Sequence, residues 1–287
     1  MDHDKRARWK LCSSMVVFGT LGLFTRQIAL SSGALALCRA VLAAALILLY
    51  FAVTGRRINI RGIGKELPLL FLSGAAMGIN WILLFQAYRY TTISAATLSY
   101  YFAPVLVTVL CPFLFHEKLS GKQILCFVMS TLGLILITGI GNLSQGGSHL
   151  LGVLCGLLAA AFYAAVILLN KFIRQVEGIQ RTLLQFFAAI LVLIPYVAAE
   201  GGLQLSALSG TGLLCLLIVG LFHTGITYCL YFSALKDLRG QEAAILSYID
   251  PLVAVFVSVL LLGEQLTVLQ AAGGLLILGF TLWNELS

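Results

Sequence analysis

An aspartate lies inside one of the most apolar stretches of this sequence. Residues 245–262 read ILSYIDPLVAVFVSVLLL, and their single charged side chain is Asp250, directly before Pro251. If the stretch crosses a membrane, a carboxylate near its middle costs roughly 2.5 kcal/mol or more on insertion scales. Such groups are usually functional, so we expect Asp250 to face a cavity, a cationic partner or a bound proton. The structural alternative is a hydrogen bond to helix backbone or a fixed pair with Arg39.

The proline beside this aspartate predicts an irregular helix. Pro251 has no N–H to donate to the carbonyl of Ser247, so we expect a kink or a local opening that exposes backbone to a cavity. Pro104 holds an equivalent place in an earlier apolar stretch. We therefore interpret Pro104 and Pro251 as structural hinges.

Aromatic and polar side chains recur at helical spacing on several other apolar stretches. One such stripe alone is often ordinary helix packing, but their coincidence on several helices favours the wall of a binding cavity. Aromatic faces combined with one carboxylate favour a cation, or the ammonium group of a zwitterion. The predicted substrate-binding residues are Asp250, Asn80, Trp81, Tyr88, Tyr100, Tyr101, Tyr163, Asn170, His223, Thr227 and Tyr231.

Two further ionisable residues are candidates for charge coupling together with Asp250. His223 could shuttle protons, because imidazole titrates near neutral pH, or it could be a neutral ring that is hydrogen-bonded to a neighbour. Arg39 could attract an anionic group or serve as the counter-ion of Asp250. It could equally extend to the outer membrane surface from its helix end.

The composition of the chain indicates that membrane helices position these residues. Apolar residues make up 60% of the 287 residues, charged residues 10%, and the mean hydropathy is +1.02. A bilayer core needs about 20 apolar residues per helix, and the chain divides into ten such runs. The predicted spans are 9–29, 33–53, 67–88, 93–115, 122–140, 150–172, 182–199, 210–234, 241–262 and 267–285.

The basic residues indicate the orientation of these spans. Most of the 18 lysines and arginines fall before the first span and in the even-numbered connections. Such residues are enriched in cytoplasmic loops, so we expect both termini to be cytoplasmic. The net charge of +7 is then a topology signal, and we expect no nucleic-acid partner.

The two halves of the sequence resemble each other. A shift of 147 residues aligns Pro104 with Pro251 and Glu117 with Glu264. We therefore predict two five-helix repeats, residues 1–143 and 144–287, within one membrane domain. Because five is odd, the second repeat is inverted, an arrangement typical of secondary transporters that bind substrate near the midplane between the repeats. Glu117 and Glu264 lie at helix junctions, where a carboxylate can cap the N-terminus of the following helix.

The segments QAYRYTTISAATLSYYFAPVLVTVLCPFLFHEKLSGKQ and YFSALKDLRGQEAAILSYIDPLVAVFVSVLLLGEQLTVLQ resemble the two halves of the EamA family in the drug/metabolite transporter superfamily. In that family each half has small residues, a proline and an L-x-E-x-x-x-x-x-Q corner, and Arg39 resembles an arginine common in the family's second helix. The first half departs from the pattern with His116 where the second half has the more usual Gly263. The resemblance implies an inverted-repeat transporter, but the family moves amino acids, sugars, nucleotide precursors, organic cations and drugs.

We therefore expect a secondary active transporter of a small cationic or zwitterionic metabolite, such as an amino acid, an amine or a quaternary ammonium compound. It would work by alternating access, with proton coupling or exchange. The alternatives are an exporter of purines or neutral drug-like compounds, or a passive channel. We expect no enzyme, cofactor or metal site, because the sequence has no second mid-membrane aspartate, metal-spaced histidine cluster or serine nucleophile elbow. The expected form is a monomer in a plasma membrane, the inner membrane of a bacterium.

Overall fold

The computed structural model describes residues 3–286 except 56–62, 116–119, 139–146, 177, 236–237, 239–242 and 244–245. Within these residues every regular element is a helix, which confirms the predicted all-α class. The α-helices are α1 (His3–Gly19), α2 (Leu21–Thr25), α3 (Ser32–Thr54), α4 (Ile63–Tyr90), α5 (Ile93–Tyr100), α6 (Ala103–Phe115), α7 (Gly121–Thr138), α8 (Gly147–Phe172), α9 (Gly178–Ala199), α10 (Gly210–Leu217), α11 (Thr227–Leu235), α12 (Ile249–Leu262) and α13 (Val268–Glu285). A 3₁₀ turn (Leu205–Ala207) precedes α10, and a π-helix (Ile218–Ile226) joins α10 to α11.

The helices have the length and composition of membrane spans. Within the described part of the chain, 6 helical segments are long and apolar enough to cross a bilayer. They are Ser32–Thr54, Ile63–Tyr90, Ile93–Leu110, Gly147–Phe172, Gly178–Ala199 and Gly210–Tyr231. Three shorter apolar helices cover Gly121–Ile137, Ile249–Leu262 and Val268–Asn284. The protein is therefore an integral, multi-pass membrane protein.

Polar side chains determine where several helices begin. The hydroxyl groups of Ser31, Thr92, Ser209 and Thr267 each accept a hydrogen bond from the backbone N–H three residues further on. The backbone N–H of Thr267 in turn donates a hydrogen bond to the side-chain amide oxygen of Gln270, which completes a capping box. These caps satisfy backbone donors that would be costly to leave unpaired in a membrane.

Two of the predicted spans are interrupted where the prolines predicted an irregularity. The fourth span is divided between α5 and α6, with Tyr101 and Phe102 in the break. Helix α12 begins at Ile249, after a turn residue. Pro104 and Pro251 both lie in the first turn of the helix that follows, where a missing N–H breaks no intrahelical hydrogen bond. Each proline therefore stabilises the start of a new helix beside a break.

Close helix packing positions the broken helices. Helix α4 packs against α8 and α9, α7 packs against α13, and α1 packs against α11 and α12. Gly74 of α4 lies directly against the backbone of Gln185 in α9, and Gly156 of α8 lies against Ala96 and Ser99 of α5. A side chain at either glycine would meet these atoms, so the small residues allow the close approach that membrane helices use in place of hydrophobic burial.

Candidate functional site

A cavity of about 390 Å³ lies at the centre of the helix bundle. Its walls come from both halves of the chain, and seven of the lining residues are tyrosines. The lining residues are Met15, Phe18, Leu21, Arg39, Trp81, Leu84, Tyr88, Thr97, Tyr100, Tyr101, Ala103, Pro104, Val107, Thr108, Tyr163, Ile167, Tyr228, Tyr231, Ser247, Tyr248 and Asp250.

The two helix breaks face each other across this cavity. The hydroxyl of Tyr101, in the break between α5 and α6, donates a hydrogen bond to Oδ2 of Asp250 at 2.7 Å. The same hydroxyl lies 3.4 Å from the carbonyl oxygen of Ser247, which is two residues before the start of α12. Asp250 is half-buried and lines the cavity. The break in one half of the chain therefore orients the carboxylate supplied by the other half.

Arg39 lies in the same cavity but is held by other partners. Its side chain is 3% exposed, and its Nε donates to the hydroxyl of Thr224 at 2.6 Å. The guanidinium carbon lies 4.7 Å from the ring centre of Trp81 and 5.7 Å from that of Phe85. Among the described residues no ion pair joins Arg39 to Asp250, and the buried guanidinium does not extend to the membrane surface.

Stacked and edge-on aromatic rings form the wall around Asp250. The ring centres of Tyr100 and Tyr163 are 5.3 Å apart, and those of Tyr101 and Tyr248 are 6.5 Å apart. On the opposite wall Phe18 meets Tyr228 edge-on at 5.3 Å. Electron-rich ring faces around a carboxylate provide the surroundings that an organic cation prefers.

Seven of the predicted substrate-binding residues line the cavity and four lie outside it. Those at the cavity are Asp250, Trp81, Tyr88, Tyr100, Tyr101, Tyr163 and Tyr231. The others bind neighbouring protein groups. Asn80 donates to the carbonyl of Ala159 at 2.6 Å, Asn170 accepts from Gln185 at 2.7 Å, and Thr227 donates to the carbonyl of Phe222 at 2.8 Å.

The fourth predicted residue outside the cavity is His223, which was also predicted as a coupling residue. Its Nε2 lies 2.9 Å from the hydroxyl of Thr20, and its ring packs edge-on against Phe24 at 4.9 Å. The residue belongs to the π-helix, where side chains bond to carbonyls five residues back, as Thr224 does to Val219. His223 is buried and is not among the residues that line the cavity. Of the two predicted hinges, Pro104 lines the cavity, and Pro251 is buried beside it.

Besides Arg39, seven lining residues that carry polar, aromatic or thioether groups are absent from the predicted substrate-binding set. Thr97 and Thr108 lie at helical spacing from Tyr101 in the same predicted span, and the others are Met15, Phe18, Tyr228, Ser247 and Tyr248. Tyr228 and Tyr231 are three residues apart on α11, so helical spacing measured back from Tyr231 would have identified Tyr228. Tyr248 is two residues before Asp250. Nothing in the sequence indicates that α1 reaches the cavity.

Glu264 connects the two halves at one end of the cavity. Its carboxylate accepts hydrogen bonds from the backbone N–H groups of Ile93 at 3.0 Å and Ser94 at 3.3 Å, and it pairs with Arg26 at 2.5 Å. The expectation that Glu264 caps the following helix is therefore wrong, because it caps α5 in the other half, and Thr267 caps α13 instead. Glu117, its predicted counterpart, lies outside the described residues.

A multi-pass helical membrane protein with a central, partly polar cavity between its two halves has the architecture of a membrane transporter. The comparison with protein families makes this assignment specific. The model of the EamA-like transporter family matches residues 8–139 and 150–284. The chain belongs to this family, which confirms the resemblance seen in the sequence.

Similar proteins agree with this assignment. An uncharacterized transporter of Bacillus subtilis, YxxF, is 30% identical over 266 residues, which cover 92% of this chain and 84% of the relative. An uncharacterized transporter of Clostridium kluyveri is 27% identical over 232 residues, which cover 78% of this chain and 74% of that protein. One solved crystal structure matches the fold with a TM-score of 0.67 at 17% identity, over 96% of this chain and 95% of the other.

Proposed function

We propose that this protein is a secondary active transporter that moves a small cationic or zwitterionic metabolite across the plasma membrane. The observation that carries the proposal is the carboxylate of Asp250, which lies in a cavity whose walls are largely aromatic. A cation gains from both the carboxylate and the ring faces, whereas a phosphorylated substrate would need several converging basic groups. Arg39 is the one basic residue among those that line the described cavity.

The proposed architecture is ten spans in two inverted five-helix repeats, with both termini in the cytoplasm. The family model supports the repeat because it matches the chain twice, once in each half. Polar contacts between helix ends support the topology, because each joins residues that the ten-span arrangement places on the same side. On the outer side these contacts are Arg26–Glu264, Ser31–Glu200 and Thr91–His149. On the inner side they are Lys10–Ser233, Glu66–Arg174 and Lys122–Trp283.

The packing of the fourth and ninth spans supports alternating access. On the outer side α5 packs against α12, and the hydroxyl groups of Ser94 and Ser258 are hydrogen-bonded across this contact. On the inner side α6 packs instead against α7 and α8. The cavity occupies the space where the two spans separate. We therefore assign this structure to an inward-facing state, with the contacts around Glu264 closing the outer side.

Asp250 is the proposed coupling residue as well as the cation site. A carboxylate that binds either a proton or a cationic substrate makes the two compete, which couples their movements in opposite directions. The same carboxylate in simple exchange would select which cations are carried. Of the two other predicted coupling groups, Arg39 keeps a place in the cavity, and His223 stabilises the contact between the first span and the π-helix.

The first test is thermal stabilisation of the purified protein by a panel of amino acids, amines, choline-like cations, nucleobases and sugars. A specific ligand raises the melting temperature by mass action. We expect cations or zwitterions to stabilise the wild type and to lose this effect in Asp250→Asn. Glu200→Gln, which neutralises an exposed outer carboxylate, is the matched control and should respond like the wild type.

Counterflow in liposomes then tests transport itself. An alternating-access carrier exchanges labelled for unlabelled ligand across the bilayer, whereas a channel passes current without exchange. The proposed cation site is contradicted if only nucleobases or neutral compounds stabilise the protein, and if they stabilise the wild type and Asp250→Asn equally. Ion current without counterflow would contradict the carrier mechanism.

A further inference from the structure

Arg39 is a buried cation whose charge no described carboxylate balances. Its side chain is 3% exposed, and the described residues include no Asp or Glu within ion-pair distance of its guanidinium. Its contacts are instead a hydroxyl and two aromatic rings. A buried charge is stable in a protein only when it is compensated, and hydroxyl and ring contacts compensate a full charge incompletely.

The contacts of this guanidinium leave part of it available to a ligand. Trp81 and Phe85 contact it through their rings, and Thr224 occupies Nε. The two Nη groups have no hydrogen-bonded acceptor among the described residues, and the side chain lines the cavity. The N–H donors of the two Nη groups lie in one plane and can bind both oxygens of a carboxylate.

We propose that Arg39 is the anion subsite of this cavity and binds a carboxylate of the transported metabolite. This inference rests on the proposed function, and it narrows the substrate from any cation to a zwitterion. The ammonium group binds near Asp250, which the second half of the chain supplies, and the carboxylate binds Arg39, which the first half supplies. A substrate held in this way connects the two halves.

The subsite also determines which molecules are rejected. A simple amine or diamine satisfies Asp250 but leaves Arg39 uncompensated, and its positive charge is repelled by the guanidinium within the same small cavity. A dicarboxylate satisfies Arg39 but brings an unpaired negative charge towards Asp250. Arg39 is therefore a specificity-determining residue that distinguishes amino-acid-like zwitterions from the amines formed from them by decarboxylation.

Matched ligand pairs test this directly. Each pair is an amino acid and its decarboxylated amine: histidine and histamine, lysine and cadaverine, tyrosine and tyramine, leucine and isoamylamine. Glycine betaine and tetramethylammonium form a fifth pair for quaternary groups. Binding to the full-length protein in lipid nanodiscs is measured by titration calorimetry for wild type, Arg39→Met and Arg39→Lys. Arg89→Met is the control, because Arg89 binds the carbonyl of Leu30 and does not line the cavity.

We expect the wild type to bind the carboxylate-bearing member of at least one pair about tenfold more tightly than its amine, the equivalent of one charge-assisted hydrogen bond. In Arg39→Met this ratio should fall to about one, because carboxylate affinity falls while amine affinity is kept or rises. Arg39→Lys retains the charge without the planar fork, so an intermediate ratio is expected, and this variant serves if Arg39→Met does not fold. Arg89→Met should keep the wild-type ratio.

Two results would overturn the subsite. One is a wild type that binds amines at least as tightly as their carboxylate-bearing partners. The other is a carboxylate preference that Arg39→Met leaves unchanged. If amine binding is present and is lost in Asp250→Asn, the proposed transporter of cations stands and only the subsite fails. If no member of any pair binds in an Asp250-dependent way, both proposals fail.

Discussion

Replacing Glu264 by glutamine should loosen the contact between α5 and α12 on the proposed outer side. Glutamine keeps the shape of the side chain and one carbonyl oxygen, but it removes the negative charge that faces the N-terminus of α5 and Arg26. The N–H groups of Ile93 and Ser94 then lose a charged acceptor. Their hydrogen bonds become neutral ones or are lost.

The size of the effect can be worked out from these contacts. A hydrogen bond to a charged group contributes about 1 kcal/mol more than a neutral one, and a carboxylate at a helix N-terminus adds about 0.3–1 kcal/mol. The pair with Arg26 adds only a few tenths of a kcal/mol, since the side chain of Arg26 is 34% exposed and water screens it. The charged hydrogen bonds and the carboxylate at the helix N-terminus describe largely the same interaction, so these contributions are not added in full. The total is about 1–2 kcal/mol, which corresponds to a five- to thirtyfold shift in an opening equilibrium.

Hydrogen exchange by mass spectrometry, on protein in lipid nanodiscs, measures this opening. The peptide that carries the first turn of α5 should exchange about five to thirty times faster in Glu264→Gln than in wild type. Glu200→Gln is the control, because Glu200 accepts from Ser31 at 2.7 Å on the same side without contacting α5 or α12. Unchanged exchange in Glu264→Gln, or an equal rise in both variants, would refute the idea that this carboxylate closes the outer side.

Two further predictions concern the cavity wall and the helix packing. Tyr163→Leu removes a ring whose centre lies 5.3 Å from that of Tyr100. Cation affinity, measured by calorimetry, should fall about five- to thirtyfold, because a cation–π contact contributes about 1–2 kcal/mol. Equal losses of affinity for neutral ligands would contradict that contact. Gly74→Val should lower the unfolding free energy by about 1–3 kcal/mol through overpacking against Gln185. Gly64→Val on the same helix, where no described residue lies within 4 Å, should be nearly neutral in the same thermal-denaturation assay, and equal destabilisation of both variants would contradict the packing argument.

Properties that depend on local chemistry were predictable from the sequence. The membrane class follows from composition, because the bilayer requires apolar helices of about 20 residues. The irregularities near Pro104 and Pro251 follow from a missing donor. The position of Asp250 at the cavity follows from the cost of a charge in a membrane. Each of these conclusions needs only one residue type and its neighbours.

What the sequence did not reveal depends on distant partners or on helix register. Asn80 satisfies the carbonyl of Ala159 in another helix, a pairing that no spacing rule predicts. The π-helix changes the side-chain period from 3.6 residues, so helical spacing alone does not show that His223 and Thr227 bond to neighbouring protein groups while Tyr231 lines the cavity. Glu264 was expected to act locally, but it caps a helix 171 positions away in sequence.

The fixed charge of Arg39 has a consequence for energetics. If the carboxylate of Asp250 is ionised, the empty cavity carries one positive and one negative charge, and a bound zwitterion adds none. In transport without a coupled proton, carrying a zwitterion is then electrically silent, and the membrane potential does no work on it. Carrying a simple cation in the same mode moves one net charge, which a potential of 100 mV drives or opposes by about 2.3 kcal/mol. If a proton on Asp250 moves in the opposite direction instead, exchange of a cation is neutral and exchange of a zwitterion moves one charge. The proposed pair of residues, by selecting the cargo, therefore decides whether its accumulation responds to voltage.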